Sequence, residues 1–150
     1  MEAMLAPVPT PIGVGPQYHP RPAMHAACAG ATGDRSMRMH LELFANGRVV
    51  IVPARVGVRS AGCRAHVWTL APTGVVRFVG RRTLGDLFAV WGMPLTGVRL
   101  LGFHGEVRVY VDGVRRRGDP RALVLRRHAE VVLEVGGYVP PHRSYLFPPD

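Results

Sequence analysis

The segment Leu41-Glu42-Leu43-Phe44-Ala45-Asn46-Gly47-Arg48-Val49-Val50-Ile51-Val52-Pro53 constrains the fold more than any other part of the chain. Before its Asn-Gly pair the residues alternate, with Leu41, Leu43 and Ala45 on one face and His40, Glu42 and Phe44 on the other. A two-residue turn here needs positive φ at both central positions, which Asn-Gly tolerates, so a β-hairpin is predicted over residues 37–53. A second hairpin is expected from residues 65–70 and 75–79, around the turn Ala71-Pro72-Thr73-Gly74. Thr83 then stands three residues before Asp86, the spacing of a capping box, and Leu84, Leu87, Phe88 and Trp91 follow at helical intervals until Gly92 and Pro94. This is the one helix the pattern predicts, and it is short enough to need a sheet to pack on. Further strands are expected over residues 98–103, 107–111 and 131–135, with a turn at Asp112-Gly113.

With 150 residues there is room for one ordinary domain and its tails. The elements place a single α+β domain at residues 37–137, mainly antiparallel β-hairpins with one short helix. Residues 1–36, rich in Pro, Ala and Gly, are expected to form an extended arm, and residues 138–150 a Pro-rich tail. Apolar residues make up 47% of the chain and charged ones 19%, which suits a packed core. No stretch approaches the ~20 apolar residues of a membrane-spanning helix, and no secretory signal pattern is recognisable at Met1. Cys28 and Cys63 lack the CxxC spacing of a redox or zinc motif; they either pair in an oxidising compartment or stand as unrelated thiols.

All nineteen cationic side chains are Arg, and set against ten carboxylates they give a net charge of +9. Absence of Lys beside abundant Ala, Gly, Val and Pro is the composition of a GC-rich genome, so part of the Arg count reflects codon supply. The cluster Arg115, Arg116, Arg117, Arg121, Arg126 and Arg127 is the best candidate for a polyanion surface. A solvated hairpin tip explains it more simply, because no helix-turn-helix, zinc-finger or RNA-recognition pattern accompanies it. The seven histidines show no i, i+2 or i, i+4 pair. His40 and His66, on neighbouring hairpins with Cys63 nearby, are the candidate set for a small transition-metal site. The three serines lie outside any nucleophile motif, no Gly-rich phosphate loop joins a strand to a helix, and Glu42, Glu106, Glu130 and Glu134 read as the solvent faces of strands. Catalysis is therefore not expected.

The run His128-Ala129-Glu130-Val131-Val132-Leu133-Glu134-Val135-Gly136-Gly137 is similar to the last strand and diglycine of ubiquitin-like sulfur carriers, which implies a β-grasp-like arrangement. Thirteen residues follow Gly137, so carrier function itself is not expected. Three longer segments, beginning at His40, Thr83 and Val109, resemble an uncharacterised family of small, histidine-rich bacterial proteins of GC-rich lineages, usually exported or membrane-tethered. The resemblance implies an extracytoplasmic location and a copper or zinc site fed by histidines on neighbouring strands. Here His40 remains, while Ser36, Arg38, Trp68, Leu70 and Arg77 stand where that family carries histidine. The resemblance thus implies a degenerate metal site. The expected function is a non-enzymatic binding or accessory domain without a cofactor, acting on an unknown protein or surface partner. Its alternatives are residual copper or zinc binding through His40, Cys63 and His66, and non-specific nucleic-acid binding through the Arg cluster.

Overall fold

A computed structural model of the protein describes residues 15–20, 35–60 and 62–149. In chain order its elements are β1 (Met37–Ala45), β2 (Arg48–Val50), β3 (Val58–Ser60), β4 (Cys63–Arg64), β5 (Val67–Trp68), β6 (Val75–Phe78), α1 (Leu84–Trp91), β7 (Leu95–Thr96), β8 (Arg99–Leu100), β9 (Phe103–His104), β10 (Val107–Val111), β11 (Val114–Arg116) and β12 (Glu130–Val135). A 3-10 turn at Pro120–Ala122 precedes β12. The class is α+β. No described helix is long and apolar enough to cross a membrane.

Seven strands form the main sheet in the order β11-β10-β12-β1-β6-β5, with β2 also paired to β1. The expected hairpins are present, with antiparallel pairing of β1 to β2, of β5 to β6 and of β10 to β11. At the centre β1 and β12 run parallel, in a register from His40 opposite Glu130 to Ala45 opposite Val135. The sheet is therefore mixed, and its first and last strands lie side by side. Two smaller sheets, β3-β4 and β7-β8-β9, flank it.

Alternation gives each strand two faces. On one, Met39, Leu41 and Leu43 of β1 and Val131, Leu133 and Val135 of β12 pack with Leu84, Leu87, Phe88 and Trp91 of α1. Burying each such large apolar side chain is worth about 1.5–3 kcal/mol, which explains how so short a helix persists. Its ends are as expected: the Thr83 side chain accepts from the Asp86 N–H, the Asp86 carboxylate accepts from the Thr83 N–H, and Gly92 closes the helix in the left-handed conformation.

The opposite face carries His40, Glu42 and Phe44 from β1, Glu130, Val132 and Glu134 from β12, and Arg108 and Tyr110 from β10. The sequence pattern assigns this face to solvent; in the structure the C-terminal tail, residues 138–149, runs across it. Phe44, Tyr110 and Val132 form a second apolar cluster that Val139 of the tail joins. Arg108 donates to the carbonyls of Gly136 and Gly137, turning the chain onto the face.

Three further differences have local causes. Residues 98–103, expected as one strand, are split between β8 and β9 because Leu101 adopts a positive φ of 56° before Gly102. The β3-β4 ribbon carries no alternating apolar pattern that could have announced it. Within the expected arm, residues 15–20 are docked: the Trp91 indole donates to the Tyr18 carbonyl at 2.7 Å, and Ile51 donates to the Pro16 carbonyl. The rest of residues 1–34, with Cys28, lies outside the described residues.

Candidate metal centre

The parallel pairing of β1 and β12 places His40 directly opposite Glu130, and alternation places Glu42 on the same face. Side-chain exposure is 8% for His40, 10% for Glu42 and 1% for Glu130, so two carboxylates and an imidazole share one interior site. Among the described residues these three are the group of possible metal ligands whose donor atoms all lie within 4.8 Å of one another. His142, from the tail, lies outside this group and touches it at one member: its Nδ1 is 2.6 Å from Glu42 Oε1.

The turn before β6 fixes the His40 ring. Its Nε2 lies 2.8 Å from the Thr73 carbonyl oxygen, which can only accept, so Nε2 carries the proton and Nδ1 faces the carboxylates. The Nδ1 atom is 3.1 and 3.0 Å from the two oxygens of Glu130 and 4.0 Å from Glu42 Oε1. A glycine makes this approach possible. Gly74 has φ +82°, and a Cβ there would stand 2.4 Å from the Leu41 carbonyl oxygen and 2.9 Å from His40 Nε2. Tyr145 of the tail stacks on the imidazole with ring centroids 3.6 Å apart and planes 3° from parallel.

Burial pushes the Glu130 carboxyl up from 4.5 to about 7, against the opposing pull of its hydrogen bond to His40. Glu134, further along β12, is likewise raised by burial, while the Val139 N–H and Arg108 oppose the rise. Beside the His40 group lies a cavity of about 350 Å³, walled in part by Ile51, Pro72 and Thr73 and roofed by Ser144, Tyr145 and Leu146.

The residues singled out in the sequence are distributed differently. His40 is central, but the structure does not bring Cys63 or His66 to it. Cys63 is disulfide-bonded, so it offers no thiolate, and His66 is exposed at the bend before β5. Of the positions where the resembled family carries histidine, Arg38, Arg77 and Trp68 form one cross-strand row over β1, β6 and β5. That row lies two residues along β1 from His40, about 7 Å at the strand rise. Arg38 donates to the Pro148 carbonyl, and the Arg64 guanidinium lies 4.1 Å over the Trp68 ring. Ser36 sits at the entry to β1, and Leu70 is exposed.

Three of the six clustered arginines are engaged by carboxylates: Arg115 by Glu106, Arg121 by Asp119 and Arg126 by Asp112. Hydrogen bonds from Arg121 hold the Asp119 carboxyl below its usual range. Arg116, Arg117 and Arg127 remain without a carboxylate partner among the described residues, which halves the charge available to a polyanion.

Glu42, Glu130 and His142 were missed as site residues in the sequence. Strand alternation assigned the glutamates to water, and His142 stood alone in a proline-rich tail. The available signal was the tail itself, where Val139, Tyr145 and Phe147, which pack in the structure, are more apolar than a solvated tail requires.

No protein-family model matches the chain, no curated protein matches it, and no solved structure matches its fold.

Proposed function

We propose that the chain is a non-enzymatic domain that binds one divalent transition-metal ion, of the zinc type, through His40 Nδ1, Glu42 and Glu130. The observation that carries this reading is the convergence of an imidazole and two carboxylates in the interior, where unpaired negative charge is costly and either protons or a cation must balance it. Tetrahedral zinc with bonds of about 2.0–2.2 Å sets its ligand atoms about 3.3–3.6 Å apart. The separations of 3.0 and 4.0 Å around His40 Nδ1 bracket that range. The Nε2–H to Thr73 carbonyl bond is the outer contact that a metal-binding imidazole uses to hold its tautomer. Oxygen and imidazole donors, with Cys63 held in a disulfide, favour a divalent ion over copper(I).

In this reading the chain is a divergent member of the histidine-rich family it resembles, with a site rebuilt on glutamates after Ser36, Arg38, Trp68, Leu70 and Arg77 replaced histidines. The disulfide at Cys63 supports an oxidising, extracytoplasmic compartment. A β-grasp-like topology is part of the same proposal, supported by the parallel central pair β1 and β12 and the helix packed on one face.

The test is calorimetric titration of chelator-treated protein with zinc, using chain purified without a metal-affinity tag. One equivalent is expected to bind, with affinity falling at least 100-fold in His40→Ala and in Glu130→Gln. Absence of a saturable 1:1 step in the wild type overturns the proposal.

A further inference from the structure

The tail that covers the site is attached in an unusual way. Among the described residues no backbone–backbone hydrogen bond joins residues 138–149 to the sheet. Among the described residues the polar contacts to the sheet run through side chains: the Glu134 carboxylate accepts from the Val139 N–H, Glu42 pairs with His142, and Arg38 donates to the Pro148 carbonyl. Aromatic contacts complete it, with Tyr145 on His40 and Phe147 against His128 and Tyr145. Pro140, Pro141, Pro148 and Pro149 have no N–H with which to add a ladder. A segment held this way opens without breaking the sheet, because no strand pairing is lost.

The same segment bears on the metal. His142 stands on the tail with Nδ1 2.6 Å from Glu42 Oε1, and Ser144, Tyr145 and Leu146 roof the cavity that reaches His40, Glu42 and Glu130. His40, Glu42 and Glu130 supply three ligands, and a tetrahedral ion needs a fourth.

We infer that residues 138–149 are a closing strap, and that His142 supplies the fourth ligand from it, so that an ion enters with the strap lifted and is retained with it closed. Metal binding would require two protons to leave to solvent, the one between His142 Nδ1 and Glu42 and the one between His40 Nδ1 and Glu130, because each of these groups would ligate through a lone pair. The ion would tie the strap to β1 and β12, its four ligand bonds taking the place of these two hydrogen bonds. The inference rests on the metal-binding proposal above and adds to it a ligand and a gate.

Two measurements on the full-length protein test it. The first is amide hydrogen exchange over residues 138–147 with and without one equivalent of zinc. The second is the rate of zinc release to a chelator in the wild type, in His142→Ala and in Tyr145→Ala. Zinc is expected to slow exchange of the strap amides at least tenfold. His142→Ala is expected still to bind one zinc, to release it at least tenfold faster and to lose the added protection of the strap. Tyr145→Ala is expected to speed release while keeping zinc-dependent protection. Zinc binding with unchanged strap exchange, or equal release rates in wild type and His142→Ala, overturns the strap. Failure of the wild type to bind zinc at all instead overturns the metal site, and the strap's role with it.

Discussion

At the scale of single residues, the central fact is a carboxyl placed where it resists ionisation. Glu130 is raised from 4.5 to about 7 by burial, so the folded metal-free protein binds a proton there more tightly than the unfolded chain does. The sign follows from linkage: this contribution is fully present below about pH 4.5 and is lost as pH rises through about 7. At about 1.4 kcal/mol per pKa unit, the loss across that window is at most about 3–4 kcal/mol. Glu134, raised by burial, acts in the same direction. Denaturant unfolding of metal-free Glu130→Gln is therefore expected to show a flatter fall in stability between pH 5 and pH 8, since glutamine keeps the hydrogen bonding of the protonated acid. A wild-type slope in the variant would contradict this. His40 was legible as a candidate because it is the histidine on the first hairpin. Glu42 and Glu130 were not, because two-residue periodicity reports which side of a strand a residue occupies but not what later covers that side.

Elements follow their local chemistry closely where that chemistry is strong. Thr83 and Asp86 make the capping box their spacing announced, so Thr83→Ala is expected to cost about 1 kcal/mol, measured as a lower denaturation midpoint with unchanged m-value. The Asn46-Gly47 and Asp112-Gly113 hairpins formed for the same reason: their central residues accept positive φ. The turn before β6 has a second duty, since Gly74 lets the Thr73 carbonyl reach His40. Gly74→Ala is expected to destabilise the fold by more than the capping change, because its Cβ would meet the Leu41 carbonyl oxygen at 2.4 Å, and to weaken zinc binding as well. Chemical denaturation and calorimetric titration of the same sample check both. Elements of two or three residues, β3, β4 and β7 to β9, were beyond sequence reasoning because a pattern needs several residues to repeat. The parallel pairing of β1 with β12 could not be read from periodicity, since its partners are 90 residues apart; the one pointer was the similarity of the β12 run to the last strand of ubiquitin-like carriers.

For the whole molecule, the decisive feature is a sheet covered on both faces, by α1 on one and by the tail on the other. Covering the second face encloses the polar groups that lie on it, which is how a chain without a local ligand motif assembles a buried cluster of His40, Glu42 and Glu130 with His142 at its edge. The charge of +9 has a smaller role than its size implies. With Arg115, Arg121 and Arg126 held by carboxylates, the cluster leaves Arg116, Arg117 and Arg127 to meet phosphates. Any binding of duplex DNA through this surface is therefore expected to have a log–log salt slope no steeper than about −3. A slope near −6 in a filter-binding titration would show that all six arginines act together.

The metal proposal is tested most directly by anomalous X-ray diffraction at the zinc edge, on crystals of the full-length protein grown with one equivalent of zinc. The expected result is a single peak within about 2.0–2.2 Å of His40 Nδ1 and of an oxygen from each of Glu42 and Glu130. Zinc found instead only at exposed histidines such as His66 or His104, with the His40–Glu130 hydrogen bond intact, would contradict it.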